Sequence, residues 1–303
     1  MSTPPSGTTG TSTTTTSALP EHDRQAVLAL GVAASQADDA TSLSEDAVLR
    51  LRAEDGSVRH LMRHADGALV GYAQLVGAGS GLEGELLVDP AHRRRGHGAA
   101  LLREVSARAT GADVRLWSHG DTPGAAALAA RTGWSRVREL LRLERPVAGL
   151  AELPVPALPA GVSVRAFVPG ADDEAWVALN AEAFATHPEQ GRWSVEDLRS
   201  RLAEPWFDAS LLLLADTPVG LAAFCWMKVE DDLAELYVLG VAPGRAGAGL
   251  GKALLVRGLA AVAGRARTVD LYVDGDNVPA VRLYTGLGFL RASIDVQYAS
   301  PRA

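Results

Sequence analysis

Residues 85–102 read ELLVDPAHRRRGHGAALL, and residues 238–255 read VLGVAPGRAGAGLGKALL. The 153-position offset is kept by Val88 and Val241, Pro90 and Pro243, Gly96 and Gly249, and Gly98 and Gly251. A second echo lies downstream in each half, RTGW at 131–134 against GLGF at 286–289. The chain therefore reads as two copies of one domain. Each copy runs from an apolar strand through a glycine-rich turn into an amphipathic helix. Such a turn presents backbone N–H groups that have no helical acceptor, and the helix dipole favours negative charge there. A phosphate-bearing cofactor is the expected occupant.

At 303 residues the chain holds two domains of ordinary size, each able to bury a core. Hydrophobic residues make up 47%, yet charged residues interrupt every apolar run before the roughly 20 residues of a spanning helix. No membrane association is expected. The opening MSTPPSGTTGTSTTTTSAL has neither the basic start nor the apolar stretch of a secretory signal, so residues 1–19 are expected to form a disordered tail. Cys225, the one cysteine, lies in the apolar AAFCWMKV and reads as a buried structural thiol in a reducing cytoplasm. A net charge of −7 argues against nucleic acid as a partner.

Periodicity places helices at 21–35 and 44–53, a hairpin of strands 58–64 and 69–76 about Asp66-Gly67, and a strand at 84–88. A helix at 96–109, a strand at 113–118, a short helix after Pro123 and a strand at 136–144 complete the first copy. The second copy repeats the order, with strands near 162–166, 210–215, 219–229, 233–241, 267–273 and 290–298. Its helices fall at 171–184, 194–203, 249–263 and 277–286. Pro146, Pro154, Pro156 and Pro159 mark the connection between the copies. The expected division is a first domain at 20–147, a proline-rich linker at 148–160 and a second domain at 161–303. Hairpins interrupted by helices give an α/β fold with a mixed sheet, of α+β character.

GAGLGK at 247–252 resembles two common phosphate loops and is neither. A Walker A loop needs glycine where Ala246 stands and Ser or Thr where Ala253 stands. A dinucleotide fingerprint from Gly247 needs Gly or Ala in place of Lys252 and a parallel βαβ unit opening the domain. What remains is a strand, a turn of glycines and basic residues, and a helix N-terminus facing an anion.

Arg93-x-x-Gly96-x-Gly98 resembles the Arg/Gln-x-x-Gly-x-Gly/Ala acyl-CoA signature of the GCN5-related N-acetyltransferases (GNAT). The second copy keeps Gly249-x-Gly251 but has Ala246 where Arg or Gln is usual. DNVPAVRLYTGLGF at 276–289 is similar to the closing helix of that family. NAEAFATHPEQGRWSVEDL at 180–198, EPWFD at 204–208, CWMKV at 225–229, ELYVLGV at 235–241 and LYVDGDNVPAVRLY at 271–284 resemble, in order, the second domain of a tandem branch. Cys225 and Ala242 depart from the His and Asp usual in that branch.

The resemblance implies two tandem acyl-CoA N-acyltransferase domains. It also implies acetyl transfer from acetyl-CoA to the cysteinyl amine of a cysteinyl-glucosaminyl-inositol, a small pseudodisaccharide. Such transfer needs a base, a hydrogen-bond donor and an acid for the departing thiolate. Glu235 is the candidate base, on a strand whose alternation sends Glu235, Tyr237 and Leu239 to one face and Leu236 and Val238 to the other. By pattern alone Glu235 equally suits a solvated strand end. Tyr284 is the candidate acid, because a phenol with a pKa near about 10 suits a thiolate leaving group; by pattern alone it is a core aromatic.

The resemblance further implies that the backbones of Leu239, Gly240 and Val241 hold the pantetheine arm. The turn of Ala246, Gly247, Ala248, Gly249, Leu250, Gly251 and Lys252 would hold the pyrophosphate. Asn277, Val278, Pro279, Ala280, Val281 and Arg282 would flank the rest of acetyl-CoA. In the first copy the same cradle comprises Leu86, Leu87 and Val88 with Arg94, Arg95, Gly96, His97, Gly98 and Ala99. Acceptor contacts fall to Glu189, Lys228, Tyr272 and Glu235, and more loosely to Glu45, which equally suits a helix N-terminus. The first copy has no tyrosine near RTGW, so it is expected to bind cofactor without turnover. No metal is implied: His92, His97 and His119 lack ligand spacing, and His187 reads as structural. A cytoplasmic monomer is expected. Two alternatives stand: an N-acetyltransferase for another small or peptide amine, and a noncatalytic acyl-CoA sensor.

Overall fold

The computed structural model describes residues 10–77, 81–109, 111–185 and 190–301. The first half comprises β1 (Thr11–Thr16), α1 (Glu21–Asp38), α2 (Glu45–Arg50), β2 (Val58–Ala65), β3 (Ala68–Val76) and β4 (Gly81–Val88). It continues through α3 (His97–Ala109), β5 (Asp113–Ser118), α4 (Pro123–Thr132) and β6 (Ser135–Pro146). The second half comprises β7 (Ser163–Ala166), α5 (Asp173–Ala183), α6 (Val195–Leu202), β8 (Leu212–Thr217), β9 (Gly220–Glu230) and β10 (Leu233–Val241). It ends with α7 (Leu250–Val262), β11 (Thr268–Asp274), α8 (Val278–Gly286) and β12 (Leu290–Ala299).

Local chemistry sets many of these boundaries. Asp66 and Gly67 both take positive φ, the primed turn that matches the twist of a two-residue hairpin. Thr122 caps α4 by accepting from the Ala125 N–H, Pro123 occupies the first turn, and Gly133 closes the helix in the left-handed region. Ser194 and Asp197 form a reciprocal capping box at the start of α6.

The chain forms two compact units that are not contiguous halves: one spans 1–141, 274–276 and 293–303, the other 142–273 and 277–292. The division expected at 20–147, 148–160 and 161–303 follows chain order, whereas these units interleave: residues 293–303, with the end of β12, go with the first and 142–147, with the end of β6, with the second. Segment 148–160 has neither helix nor strand, yet Leu150 is fully buried and the Pro156 carbonyl accepts from Arg257, so the connection is packed down.

In the first unit the strand order is β1-β2-β3-β4-β5-β12, antiparallel except for β4–β5. The leading segment is therefore not a tail over its described residues. β1 pairs with β2 from Thr11 to Thr16, Arg63 donates to Thr13 Oγ1 at 2.8 Å, and Leu19 is buried. A run of β-branched threonines suits an added edge strand, which low hydrophobicity alone does not reveal. Leu101, Leu102 and Val105 of α3 pack on one face of the sheet with Leu61, Ala73 and Val114. Val27, Leu30 and Ala34 of α1 pack on the other with Met62, Tyr72 and Leu87.

In the second unit the order is β7-β8-β9-β10-β11, antiparallel except for β10–β11. Trp176 and Leu179 of α5 and Leu198 of α6 cover one face with Phe224, Trp226, Leu212 and Leu214. α7 covers the other so closely that a Cβ on Gly258 would lie 2.9 Å from Cys225 Sγ.

Candidate active site

Parallel pairing of β10 with β11 stops at Leu236–Leu271, although β10 runs on to Val241 against β9. Among the described residues, Leu239, Gly240 and Val241 therefore have no strand partner on the β11 side. The first unit repeats this: β4–β5 pairing stops at Glu85–Trp117, and Leu86, Leu87 and Val88 run past it. Each opening admits an extended chain carrying amides, which would pair as a short added strand. Gly240 brings the backbone close to the core, since a Cβ there would meet the Phe224 ring at 2.5 Å.

Both openings lead to a glycine-containing turn ahead of a helix. Gly247 (φ +80°) and Gly249 (φ +78°) lie in the left-handed region before α7. Arg94 (φ +63°) and Gly96 (φ +87°) do the same before α3. Alternation of this kind turns successive N–H groups toward one point and feeds them into a helix N-terminus. Ala246, Ala248 and Lys252 are exposed around one turn, and Arg94 and Arg95 around the other, while Leu250 is buried and Gly251 sits under Val241. Ala99 continues the first helical turn and Gly98 packs against Leu128. His97 offers only its backbone: its side chain is buried and Nδ1 accepts from Arg63 at 3.3 Å. The signature Arg93 forms a two-point pair with Asp38 at 2.6 and 2.8 Å, bracing the turn instead of facing an anion. Ala246 lacks that brace. Asn277 caps α8 by accepting from Ala280 N–H, and Val278, Pro279, Ala280, Val281 and Arg282 form its first turns.

Simple alternation along β10 fails at one residue. Leu236 opposes Met227 but Val238 opposes Trp226, so Tyr237 is an extra residue, a β-bulge. Cross-strand partners share a face. Glu235, opposite Lys228, therefore shares the α5–α6 face with Tyr237 and Val238, which packs with Trp226, Trp176 and Leu212. Leu239 opposes Cys225 and falls on the α7 face. The expected grouping of Glu235, Tyr237 and Leu239, with Leu236 and Val238 opposite, is corrected: the bulge exchanges the faces of Val238 and Leu239.

Lys228 on β9, Glu235 on β10 and Asp270 on β11 are in register and form a polar row on the α5–α6 face. Arg142 extends it, its Nε 2.7 Å from Asp270 Oδ2. Lys228 Nζ lies 2.6 Å from Glu230 and 4.9 Å from the Trp206 ring centre. Tyr237 accepts from Arg201 Nε at 3.0 Å and packs at 5.2 Å against Trp206 and Trp226. Tyr272, two residues beyond Asp270 on the same face, is half exposed. Glu189 and His187 lie outside the described residues, and Glu45 begins α2, whose cap Ser44 donates its N–H to Glu85.

Tyr284 is 7% exposed and packs at 6.1 Å against Phe289. Burial, aided by the Cys225 thiol, raises its phenol above the ordinary range, so it is a weaker acid than a phenol near about 10 and stays protonated near neutrality. Cys225 is fully buried and pushed up to about 12 by desolvation, hence an inert thiol.

The first unit repeats the turn geometry but carries different partners and residues at the positions of Glu235 and Tyr284. Parallel registers align Glu83 with Glu235, and β4 has eight residues where β10 has nine, so β4 lacks the bulge of β10. Glu83 is held by Trp117 Nε1 at 2.9 Å and by Gln297. The RTGW and GLGF echo puts Ala129 where Tyr284 stands, lining an apolar cavity of about 60 Å³ beside Leu86. The eight-against-nine count exists only once the strand bounds are known, so the sequence held no signal for the bulge. Asp270 and Arg142 carried none, since only the strand pairing brings them to Glu235.

Residues 174–289 match the acetyltransferase (GNAT) family profile, and residues 56–136 match an acetyltransferase (GNAT) domain profile. The chain is 73% identical over 286 residues to the mycothiol acetyltransferase of Kineococcus radiotolerans, covering 93% of this chain and 94% of that one. It is 50% identical to the mycothiol acetyltransferase of Thermomonospora curvata, covering 91% and 93%. Its fold is similar to a GCN5-related N-acetyltransferase from Sphaerobacter thermophilus, with TM-score 0.72, 24% identity and 95% coverage of each chain. It is also similar to a tandem GNAT protein of the clavulanic acid pathway, with TM-score 0.71, 20% identity and coverage of 97% and 99%. Two profile matches, together with relatives aligned over nine-tenths of the chain, place this protein in the GNAT acetyltransferase family, in its mycothiol acetyltransferase branch.

Proposed function

We propose that this enzyme transfers the acetyl group of acetyl-CoA to the cysteinyl amine of 1D-myo-inositol 2-(L-cysteinylamino)-2-deoxy-α-D-glucopyranoside, giving mycothiol and CoA. The observation that carries this reading is the bulge at Tyr237, which sets Glu235 and Lys228 on one face of the β10–β11 opening while Leu239 and Cys225 lie on the other. A thioester lying in the opening is then approached from both faces. Glu235 takes a proton from the ammonium, directly or through water, and the amine nitrogen attacks the acetyl carbonyl carbon. The tetrahedral intermediate collapses with cleavage of the C–S bond, and the electron pair leaves on sulfur. Tyr284, protonated until that moment, gives its proton to the thiolate, and the second proton of the attacking nitrogen, lost as the amide forms, restores the phenol. Juxtaposing two bound reactants supplies much of the acceleration.

Lys228 and Tyr272, with Glu189 and Glu45, serve the hydroxyl-rich acceptor, for which charged and hydroxyl groups are apt. The first unit holds a second acetyl-CoA without turning it over; Glu83 is already hydrogen-bonded and Ala129 replaces the acid. A reducing cytoplasm suits a free-thiol acceptor and the lone buried Cys225, and the reading takes the enzyme as a monomer. Thiol release measured with the cysteinyl pseudodisaccharide and with simple amines tests the reading. Faster turnover of a simple or peptide amine redirects the specificity, and binding of acetyl-CoA with no release from any amine leaves only a sensor.

A further inference from the structure

Glu235 stands between charges of opposite sign, with Lys228 in register on β9 and Asp270 in register on β11. Adjacent strands lie about 4.8 Å apart, so both neighbours act on it at short range. Asp270 is 3% exposed; its Oδ2 accepts from Arg142, while its Oδ1 is buried with no hydrogen-bond partner among the described residues. A half-satisfied buried carboxylate is a costly feature in a core. We propose that Asp270, held by Arg142, is a positioning residue whose charge keeps the Glu235 carboxyl able to take up a proton near neutral pH. This rests on the reading of Glu235 as the base.

Among the described residues, other charged and titratable groups reach this face from several elements. From β9 there is Lys228, paired with Glu230; from β10, Tyr237; and from α6, Arg201, which donates to Tyr237. From β11 there is Tyr272, and beyond it Glu144, 3.7 Å from Arg142. Lys228 favours the ionised Glu235, whereas Asp270 opposes it and the more distant Arg142 offsets that only in part. Burial also holds the Asp270 carboxyl above its usual range despite Arg142.

The test is a ¹³C NMR titration of glutamate carboxyls in the unliganded protein, in which the Glu235 signal is the one lost in Glu235→Gln. Asp270→Asn keeps an acceptor for Arg142 but removes the charge, and should lower the Glu235 titration by about 1 pH unit. The acidic limb of kcat/KM should move down with it. In Asp270→Asn with Arg142→Gln no charge is left buried unpaired, so this double variant folds even where the single variant does not. Its Glu235 should titrate below wild type and above the single variant. Activity loss with an unchanged titration, in the single or the double variant, overturns the proposal by leaving Asp270 a merely structural role. If the titration moves as stated while Glu235→Gln keeps the acidic limb, the base assignment fails and the coupling stands.

Discussion

The stability of the first unit should depend on pH through His119. Burial pulls this imidazole down, but hydrogen bonding to Asp295 and the Glu85 charge outweigh it and push it up to about 9. Nδ1 lies 2.9 Å from Asp295 Oδ2; Nε2 is 3.4 Å from Glu85 Oε1, a charge contact and not a formed hydrogen bond. The Gly120 N–H donates to the other Asp295 oxygen, so this cluster fastens β12 beside β5. Against an unfolded value of 6.5 the shift is about 2.5 units, which corresponds to about 3 kcal/mol. Because the folded value is the higher one, the stabilisation is complete below pH 6.5 and is lost as pH rises through about 9. The assay is urea unfolding at constant ionic strength across that window, with His119→Gln and Asp295→Asn alongside. Wild type should lose most of this stabilisation between those limits, and both variants should be flatter. Parallel loss in wild type and His119→Gln would refute the assignment.

Tyr284→Phe should lower kcat by about 10²–10⁴ if the phenol transfers a proton, with acetyl-CoA affinity by calorimetry nearly unchanged. Wild-type turnover at saturating substrates removes it from the mechanism. Lys228→Ala and Glu189→Gln should raise the KM of the acceptor more than that of acetyl-CoA; equal effects on both would take them out of the acceptor site. Gly240→Ala sets a methyl against the buried Phe224 ring and should cost about 1–3 kcal/mol by denaturant unfolding, while also weakening acetyl-CoA in the second unit. Acetyl-CoA bound at the first cradle should survive addition of acceptor, and rapid turnover there in a protein whose second turn is disabled would contradict a binding-only role.

The repeat was legible because its motifs recur at a fixed offset, and the two glycine turns and the Asp66-Gly67 hairpin because each is local. A left-handed residue at Gly249 and the turn at Asp66-Gly67 both act within a few residues. The sequence by itself thus determined the fold class, the glycine turns ahead of α3 and α7, and the strand that carries Glu235. Tertiary structure decided the rest. Composition made a tail of residues 1–19, but the open edge of β2 gave Thr11–Thr16 a partner. Proline spacing put a boundary after residue 147, but β12 joins the first unit through a pairing across most of the chain. Alternation put Val238 and Leu239 on the wrong faces, because a bulge exists only relative to a partner strand. Asp270 and Arg142 meet over 128 positions of sequence, and Glu83 meets Gln297 over 214. Contacts of that separation leave no local signature, because the hydrogen bonds and burial that create them arise only when distant strands are brought side by side.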